Sequence, residues 1–436
     1  MSVNSVIKHL DPDKIVFFFK DYPIVDAKLY NTWFLEVRQI YPYLEVIQVT
    51  EAVCNHNASS PHSSDIAFLN GFEAIRWEEY AVLTSQLTKA DALAVTANET
   101  EYFSRCSSYS KMDGNASLPV CIVLDRSLYP KDIWNLDTPF GRSMRQLFYG
   151  SEEIRMPVPS YTQLTPNIAH VMWIGGGKMD FLFYLSVLSL VYVAEVDKVF
   201  IYGEAPTGFY WSILKNNTKV QVVRHPLIHH VYGKTIKSLV HMSDVLRVEI
   251  MKRYGGIYLD IDAIVVKPFD REIRSYDAVV SLDGMPSFYG PFPDVISNGV
   301  MLGKKDAKFW DIFQETMKEF IDSDYTYNGC RRAYQILERH PDLIRVEPRL
   351  QVTCYQFLCR PTWWPGYHNS SLHHLSSSVK FDWRNDAHVL HWTRPTPNEL
   401  KDPKILLTST GLWADIGKYI LEKSNMTQYF AIRTKT

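Results

Sequence analysis

The sequence predicts an α/β protein built as two units. Three observations carry the prediction. Apolar, strand-like runs alternate with helix-like segments along most of the chain. A polar, proline-bearing stretch interrupts that alternation near residue 160. The composition is that of a globular core: of 436 residues, 46% are apolar and 22% charged, ordinary values for folded chains. Strands alternating with helices imply a parallel sheet with helices on its faces.

In the first unit, KIVFFFKD (14–21) reads as a buried strand, residues 25–41 as a helix and YLEVIQV (43–49) as a strand. A helical region follows at 66–89, with further strands at DALAVTA (91–97) and PVCIVLD (119–125). No catalytic motif occurs here, so 1–155 is expected to be a smaller α/β domain of unassigned role. The pattern loosens from Leu128 to Pro166, and RMPVPSYTQLTPN (155–167), with its three prolines, reads as a linker.

A second domain is expected over 156–436. IAHVMWIGG (168–176) and KVFIYGE (198–204) read as strands bracketing FLFYLSVLSLVYVA (181–194). That run is uncharged and almost wholly apolar; at 14 residues it is too short for a membrane span and reads as a buried helix. VQVVRH (220–225), AIVVKP (263–268), AVVSLDG (278–284) and VMLGKK (300–305) are further strands, and a helix is expected from Ser238 to Tyr254.

The net charge of −2 leaves no broad electrostatic footprint for nucleic acid or an anionic membrane. Six cysteines permit disulfides, and Cys354 and Cys359 could close a small loop. The nearby His368, His373 and His374 have no zinc-ligand spacing with them. Sequons at Asn57, Asn98, Asn115, Asn216, Asn369 and Asn425 exceed the roughly two expected from average composition. They point to the secretory pathway. The first residues, MSVNSVIKHLDPDK, do not read as a signal peptide or anchor. Either an anchor lies outside this sequence or the protein is not membrane-anchored.

The chemistry concentrates in SLVHMSDVLRVEIMKRYGGIYLDID (238–262). Leu239, Met242, Leu246, Ile250 and Tyr254 form a stripe at helical spacing that predicts a core face. Asp244 and Arg247, three apart, are surface neighbours on that helix and share their side with Val240 and Met251. A half-buried charged pair is expected, serving either as a structural ion pair or as a clamp for ligand hydroxyls. Gly255 ends the helix and Gly256 turns the chain. In the strand, alternation puts Ile257, Leu259 and Ile261 on one side and Tyr258, Asp260 and Asp262 on the other. Two carboxylates about 7 Å apart on one face need a counter-charge. A divalent cation supplies one, and carboxylates suit Mg²⁺, Mn²⁺ or Ca²⁺. Arg247 or Lys267 is the alternative partner.

The run S-D-x-x-R-x(6)-Y-G-G-I-Y-L-D-I-D (243–262) resembles the DXD-containing sugar-binding region of a glycosyltransferase family. Its members include the fungal initiating α-1,6-mannosyltransferases, the inositol-phosphoceramide mannosyltransferases and the α-1,4-galactosyltransferases. PNIAHVMWIGG (166–176), SNGVMLGKKDAKFW (297–310) and HVLHWT (388–393) resemble other segments of that family, so the likeness spans about 166–395. Asn167 and Ala169 depart from its usual first motif.

The resemblance implies a GT-A fold, Rossmann-like and nucleotide-sugar-binding, and metal-dependent hexose transfer with retention. The donor would be a UDP- or GDP-sugar and the acceptor a hydroxyl of a glycan or glycolipid. Mn²⁺ would be the cofactor, with Mg²⁺ as the alternative, and the Golgi lumen the location. It implies that Trp173 stacks on the nucleobase, that Asp244 and Arg247 bind sugar hydroxyls, and that Tyr258, Ser297 and Asn298 line the donor site. Asp260 and Asp262 would hold the metal, joined by His391 (or His388). Asp260, Asp262 and Arg247 would then carry catalysis. Asp283 and Asp294 are candidate acceptor-side carboxylates. Two rival classes remain. A non-catalytic homologue would keep the binding groups. A haloacid-dehalogenase-like phosphohydrolase also starts from D-x-D, but it usually carries Thr or Val where this chain has Ile264.

Overall fold

A computed structural model of the chain describes the strands Ile15–Phe19 and Leu44–Gln48 and residues 130–137, 139–284, 294–355, 358–364, 381–393 and 395–433. It divides into two compact units, Met1–Ile154 and Arg155–Thr436.

In the first unit, β1 (Ile15–Phe19) pairs in parallel with β2 (Leu44–Gln48), in register Ile15 to Leu44. A parallel pair requires a crossover connection. The segments expected at 25–41, 66–89, 91–97 and 119–125 lie outside the described residues. The stretch after Leu128, expected to be loose, instead holds α1 (Pro130–Trp134) and α2 (Pro139–Tyr149). Each opens on a proline, which at a first helical position lacks only an N–H that had no partner anyway. Arg145 of α2 donates to the Ile133 and Leu136 carbonyls at 2.7 and 2.9 Å, tying the two helices together.

The second unit is built on a seven-stranded sheet of order β12-β10-β11-β8-β3-β4-β5. Its members are β3 (Ile168–Trp173), β4 (Lys198–Gly203), β5 (Val220–Val223), β8 (Gly256–Leu259), β10 (Ala278–Leu282), β11 (Ile296–Gly303) and β12 (Arg345–Val346). All run parallel except β11. A two-stranded ribbon, β6 (His230–Val231) and β7 (Lys234–Thr235), precedes the central helix.

Helix α3 (Phe181–Tyr192) is buried all round, as its uniformly apolar run predicts. The Asp180 carboxylate caps it, accepting from the Phe183 N–H at 2.8 Å. Helix α4 (Phe209–Leu214) follows β4. Helix α5 (Leu239–Tyr254) packs against β3 and β8, with α6 (Lys308–Thr316) beside it and α7 (Arg332–Arg339) against β11. On α5, Met242, Leu246 and Ile250 are buried as expected, but Leu239 and Tyr254 are exposed. The stripe ran past both ends of the buried interface.

At the C-terminal end of α5 both glycines are required. Gly255 has φ 63° and Gly256 φ 108°. A Cβ on Gly256 would lie 2.7 Å from the Ile168 carbonyl oxygen, and one on Gly255 would lie 2.5 Å from the Lys305 nitrogen. His170 staples this turn: Nε2 donates to the Gly255 carbonyl at 2.7 Å, and Nδ1 accepts from the Tyr202 hydroxyl at 3.1 Å. Burial pushes its pKa down to about 4, only partly offset by the Gly255 bond, so it is neutral.

Strand β8 ends at Leu259, and the chain then leaves the large sheet. After a turn it enters a second sheet as β9 (Ala263–Val265), of order β14-β13-β15-β9 with β13 (Gln351–Tyr355), β14 (Leu358–Arg360) and β15 (Val389–Trp392). The Ser189 hydroxyl of α3 accepts from the Val265 N–H at 2.9 Å, joining the buried helix to this sheet. Helix α8 (Trp383–Asp386) leads into β15, and α9 (Pro403–Thr408), α10 (Leu412–Lys423) and α11 (Thr427–Arg433) finish the unit, α10 covering α3. Cys354 and Cys359 face each other across β13 and β14 and form a disulfide. Among the described residues no helix is long and apolar enough to cross a membrane.

Candidate functional site

The site lies at the carboxyl edge of the large sheet. Strand β3 has β4 on one side and β8 on the other, so chain order reverses between β3 and β8. Ligands of open α/β sheets bind outside the strand ends at such a switch point. Trp173 ends β3 and Asp260 follows β8, so they flank it.

Asp260 and Asp262 are not on a strand, as alternation suggested, but on the turn between the two sheets. The turn is pinned from both sides. The Asp260 N–H donates to Gly299 of β11 at 2.8 Å, and the Asp262 carbonyl accepts from the Trp392 N–H of β15 at 3.0 Å. It also brings in His391. One ligand atom from each of Asp260, Asp262 and His391 lies within 4.8 Å of the other two. His391 Nε2 is 3.3 Å from Asp262 Oδ1 and 3.8 Å from Asp260 Oδ2. His388, the other candidate, bonds the Pro268 carbonyl at 2.8 Å and is not part of this group.

Gln351 fixes the His391 tautomer. The Gln351 amide nitrogen donates to Ser281 Oγ at 2.7 Å and to the Ser297 carbonyl at 3.1 Å. Its oxygen therefore faces His391 Nδ1, 3.1 Å away, and accepts from it. In the neutral ring the Nε2 lone pair is left pointing at the two carboxylates. Two carboxylates and one imidazole nitrogen, with a hydrogen-bond partner behind the imidazole, are a fitting donor set for Mn²⁺ or Mg²⁺. Burial opposes charging His391, but the bond to Asp262 and the charges of Asp262 and Asp260 outweigh it and raise its pKa.

The helix half of the site is more deeply buried than expected. Asp244 and Arg247 are 3% and 4% exposed, so the pair is enclosed rather than half-buried. The Arg247 guanidinium lies 3.4 Å from Asp244, 3.5 Å from Asp260 and 4.4 Å from the centre of the Tyr258 ring. It also donates to the Asn298 carbonyl at 2.9 Å. Burial works against its charge, but Asp260, Tyr258 and Asp244 more than compensate and raise its pKa. Asp244 moves the other way for a carboxylate: burial raises its pKa, and Arg247 offsets this only in part. Arg247, with three favourable partners, is the anchor of the group. Removing it would strand the buried Asp244 carboxylate, at about 3–5 kcal/mol.

Tyr258 is 1% exposed. Its ring lies under Arg247 and its hydroxyl donates to Asp260, so it supports those groups and has no surface to offer a donor. Burial above all raises its pKa and keeps the hydroxyl a donor. Asn298 donates from its side chain to Asp244 at 2.9 Å. Ser297 is buried beside Gln351. The register of β10 against β11 shifts between Val279–Leu302 and Ser281–Ser297, an irregularity that re-aims residues 297–299. Gly299 sits there because a Cβ would lie 2.2 Å from His391 Cε1 and 2.8 Å from Asp260 Oδ2. Trp173 is half-buried against Phe183, with ring centres 4.8 Å apart.

The sequence reading missed Gln351 and a π-helical turn at Tyr327–Arg331. Gly329 of that turn packs so closely that a Cβ would lie 2.1 Å from Asn298 Nδ2 and 3.0 Å from Asp244 Oδ1. Such turns often mark functional sites. No motif announced either feature, although polar residues at alternate positions of a buried strand, Gln351 and Thr353, repeat the signal that flagged the aspartates.

The geometry defines an α/β domain in which an acidic turn and a histidine, able to offer three ligand atoms to a cation, lie beside a buried carboxylate–guanidinium cluster. Residues 200–279 match the family described as the glycosyltransferase sugar-binding region containing DXD motif. The chain therefore contains, within its α/β second unit, a segment similar to the sugar-binding region of the DXD glycosyltransferases. Glucan organizing enzyme 1 of Cryptococcus neoformans var. grubii is 24% identical over 200 residues, 45% of this chain and 51% of that protein. The chain thus matches about half the length of that relative. Among solved structures, the bifunctional glycosyltransferase WbbM covers 64% of this chain and 53% of its own, at 9% identity and a TM-score of 0.41. The apo glycosyltransferase GlyE of Streptococcus pneumoniae covers 60% and 64%, at 13% identity and a TM-score of 0.34.

Proposed function

We propose that this protein is a metal-dependent, retaining glycosyltransferase that moves a hexose from a UDP- or GDP-sugar to a hydroxyl of a glycan or glycolipid. The observation that carries the reading is the convergence of Asp260, Asp262 and His391 beside Arg247, within or next to the matched sugar-binding region. Asp260, Asp262 and His391 Nε2 would hold a divalent cation. A nitrogen in the set favours Mn²⁺ over Mg²⁺. That ion would neutralise charge growing on the departing diphosphate.

The chain's own groups do the positioning. Tyr258 and Arg247 hold Asp260 in place, and Gln351 holds His391. Asp244, Arg247 and Asn298, bonded to one another, would form the polar floor of the donor-sugar site. Trp173 offers an aromatic face for the nucleobase at the far side of the switch point. The rigid mounting of these groups, with Arg247 and His391 buried, strengthens their electrostatic effect.

A secretory, Golgi-lumenal location accords with the Cys354–Cys359 disulfide and with exposed sequon residues at Asn216 and Asn425. A mobility shift on enzymatic removal of N-glycans checks it.

The functional test is nucleotide release from a panel of UDP- and GDP-sugars, with and without Mn²⁺, by the full chain and by Asp262→Asn. Release that requires both the metal and Asp262 supports the proposal. Release indifferent to both contradicts it. Phosphate release from sugar phosphates indicates a phosphohydrolase, and metal-dependent binding without turnover a non-catalytic homologue.

A further inference from the structure

Between α6 and the π-helical turn the chain closes into a loop whose neck joins Ile321 to Asn328. The Asn328 side chain accepts from the Ile321 N–H at 2.9 Å and donates to the Ile321 carbonyl at 2.7 Å. Compact loops with their ends together are frequently functional. Both limbs of this one are fixed. On the first, the Asp322 carboxylate accepts from the Lys237 N–H at 3.1 Å and the Ser238 N–H at 3.4 Å, and it lies 2.9 Å from His241 Nδ1, all at the entry to α5. On the second, Asp324 accepts from the Thr326 N–H at 3.2 Å and pairs with Arg331 at 3.1 Å. Beyond the neck, Gly329 packs against Asn298 and Asp244, and the Cys330 thiol lies 3.7 Å from the Asn298 side-chain oxygen. The loop is therefore mounted directly on the helix half of the site.

Tyr325 stands at the tip of this loop and is 70% exposed, whereas Tyr327, two residues on, is 0% exposed and does the packing. An open aromatic on so firmly anchored a loop adds nothing to the core. Its hydroxyl nonetheless belongs to the site. Crowding by the surrounding protein, with Asp260, Cys330, Asp244 and Asp262 adding to it, pushes its pKa up to about 12. The carboxylates that reach it come from the acidic turn and from α5, so the ring borders the space between them. A hexose needs a group of this kind. Its rim of hydroxyls suits the polar floor of Asp244, Arg247 and Asn298, but one face of the sugar is a patch of C–H groups. Aromatic rings, negative on their faces, suit such a patch. Tyr258 is enclosed, and Trp173 lies at the far side of the switch point, so neither covers it.

We propose that Tyr325 is a donor-binding residue whose ring packs on the C–H face of the transferred hexose, opposite the polar floor of Asp244 and Asn298. The proposal rests on the glycosyl-transfer reading above. It gives Tyr325 the sugar and leaves the nucleoside diphosphate to the cation and Trp173.

The test uses the full chain, Mn²⁺ and the UDP- or GDP-sugar that the wild type cleaves. Donor KM is read from nucleotide release, and the matching nucleoside diphosphate is titrated as a competitive inhibitor. Tyr325→Ala should raise donor KM about 3- to 10-fold. Its inhibition constant for the nucleoside diphosphate should stay within about twofold of wild type, because the lost contact is to the sugar. Tyr325→Phe, which keeps the ring, should recover most of the lost donor affinity. Tm should not move in either variant, because the side chain is exposed. A donor KM unchanged in Tyr325→Ala overturns the assignment. So does an equal loss of nucleoside diphosphate affinity, or a Tyr325→Phe variant as impaired as Tyr325→Ala. A wild type that releases nucleotide from no donor overturns the transfer reading, and the assignment with it.

Discussion

The two halves of the candidate site are built in opposite ways. The helix half (Asp244, Arg247, Tyr258 and Asp260) comes from 17 consecutive residues of α5, its glycine turn and β8. The sheet half draws Asn298, Gln351 and His391 from β11, β13 and β15, 38 to 131 positions beyond Asp260. The first half is held by local geometry: helix spacing puts Asp244 beside Arg247, and Gly255 and Gly256 allow the sharp return to β8. The second is held by strand register and a glutamine. The acidic turn belongs to both, since Gly299 and Trp392 bond it from opposite sides. Aspartates two residues apart are poor metal ligands until a distant element supplies the third.

Substitution can separate the halves. The largest effect is expected at the shared turn. Asp262→Asn should lower Mn²⁺-dependent nucleotide release on the order of 10²–10³-fold, read by steady-state kinetics at saturating donor.

The helix half should show its dependence on the His170 staple as acid sensitivity. His170 is neutral and buried, with its pKa pushed down to about 4 from an ordinary 6.5. Between those values the unfolded chain binds a proton that the folded chain refuses. Stability should therefore fall as pH drops from about 6.5 to about 4, by about 3 kcal/mol from this group. Urea unfolding across that range checks it; His170→Asn should flatten the dependence while lowering stability at neutral pH.

The sheet half should respond through the metal. Gln351→Met removes the acceptor behind His391 Nδ1 without opening a large cavity. Mn²⁺ affinity should weaken about 10- to 100-fold, measured by calorimetry, with a smaller change in Tm.

The same contrast explains what the sequence revealed. Strands β3, β4, β5 and β10, helix α3 and the double-glycine turn were legible because period, capping and glycine placement are local signals. The end of β8 was not, because Asp260 to Asp262 keep a strand's alternation while the chain changes sheets; the bonds that decide this come from Gly299 and Trp392. The full burial of Arg247 was hidden too, since it depends on Asn298 and the π-helical turn closing over α5. His391 was separable from His388 only through the register that pairs it with Ala263 and Thr353.

The central claim is that the two halves meet at one divalent cation, with His391 Nε2 as its nitrogen ligand. Pulsed electron paramagnetic resonance of Mn²⁺ bound to the full chain tests this directly. The expected result is a nitrogen modulation from a single histidine that disappears in His391→Ala, with Mn²⁺ binding itself lost or greatly weakened in Asp262→Asn. Tight Mn²⁺ binding with no histidine nitrogen, or binding unaffected by Asp262→Asn, would contradict it.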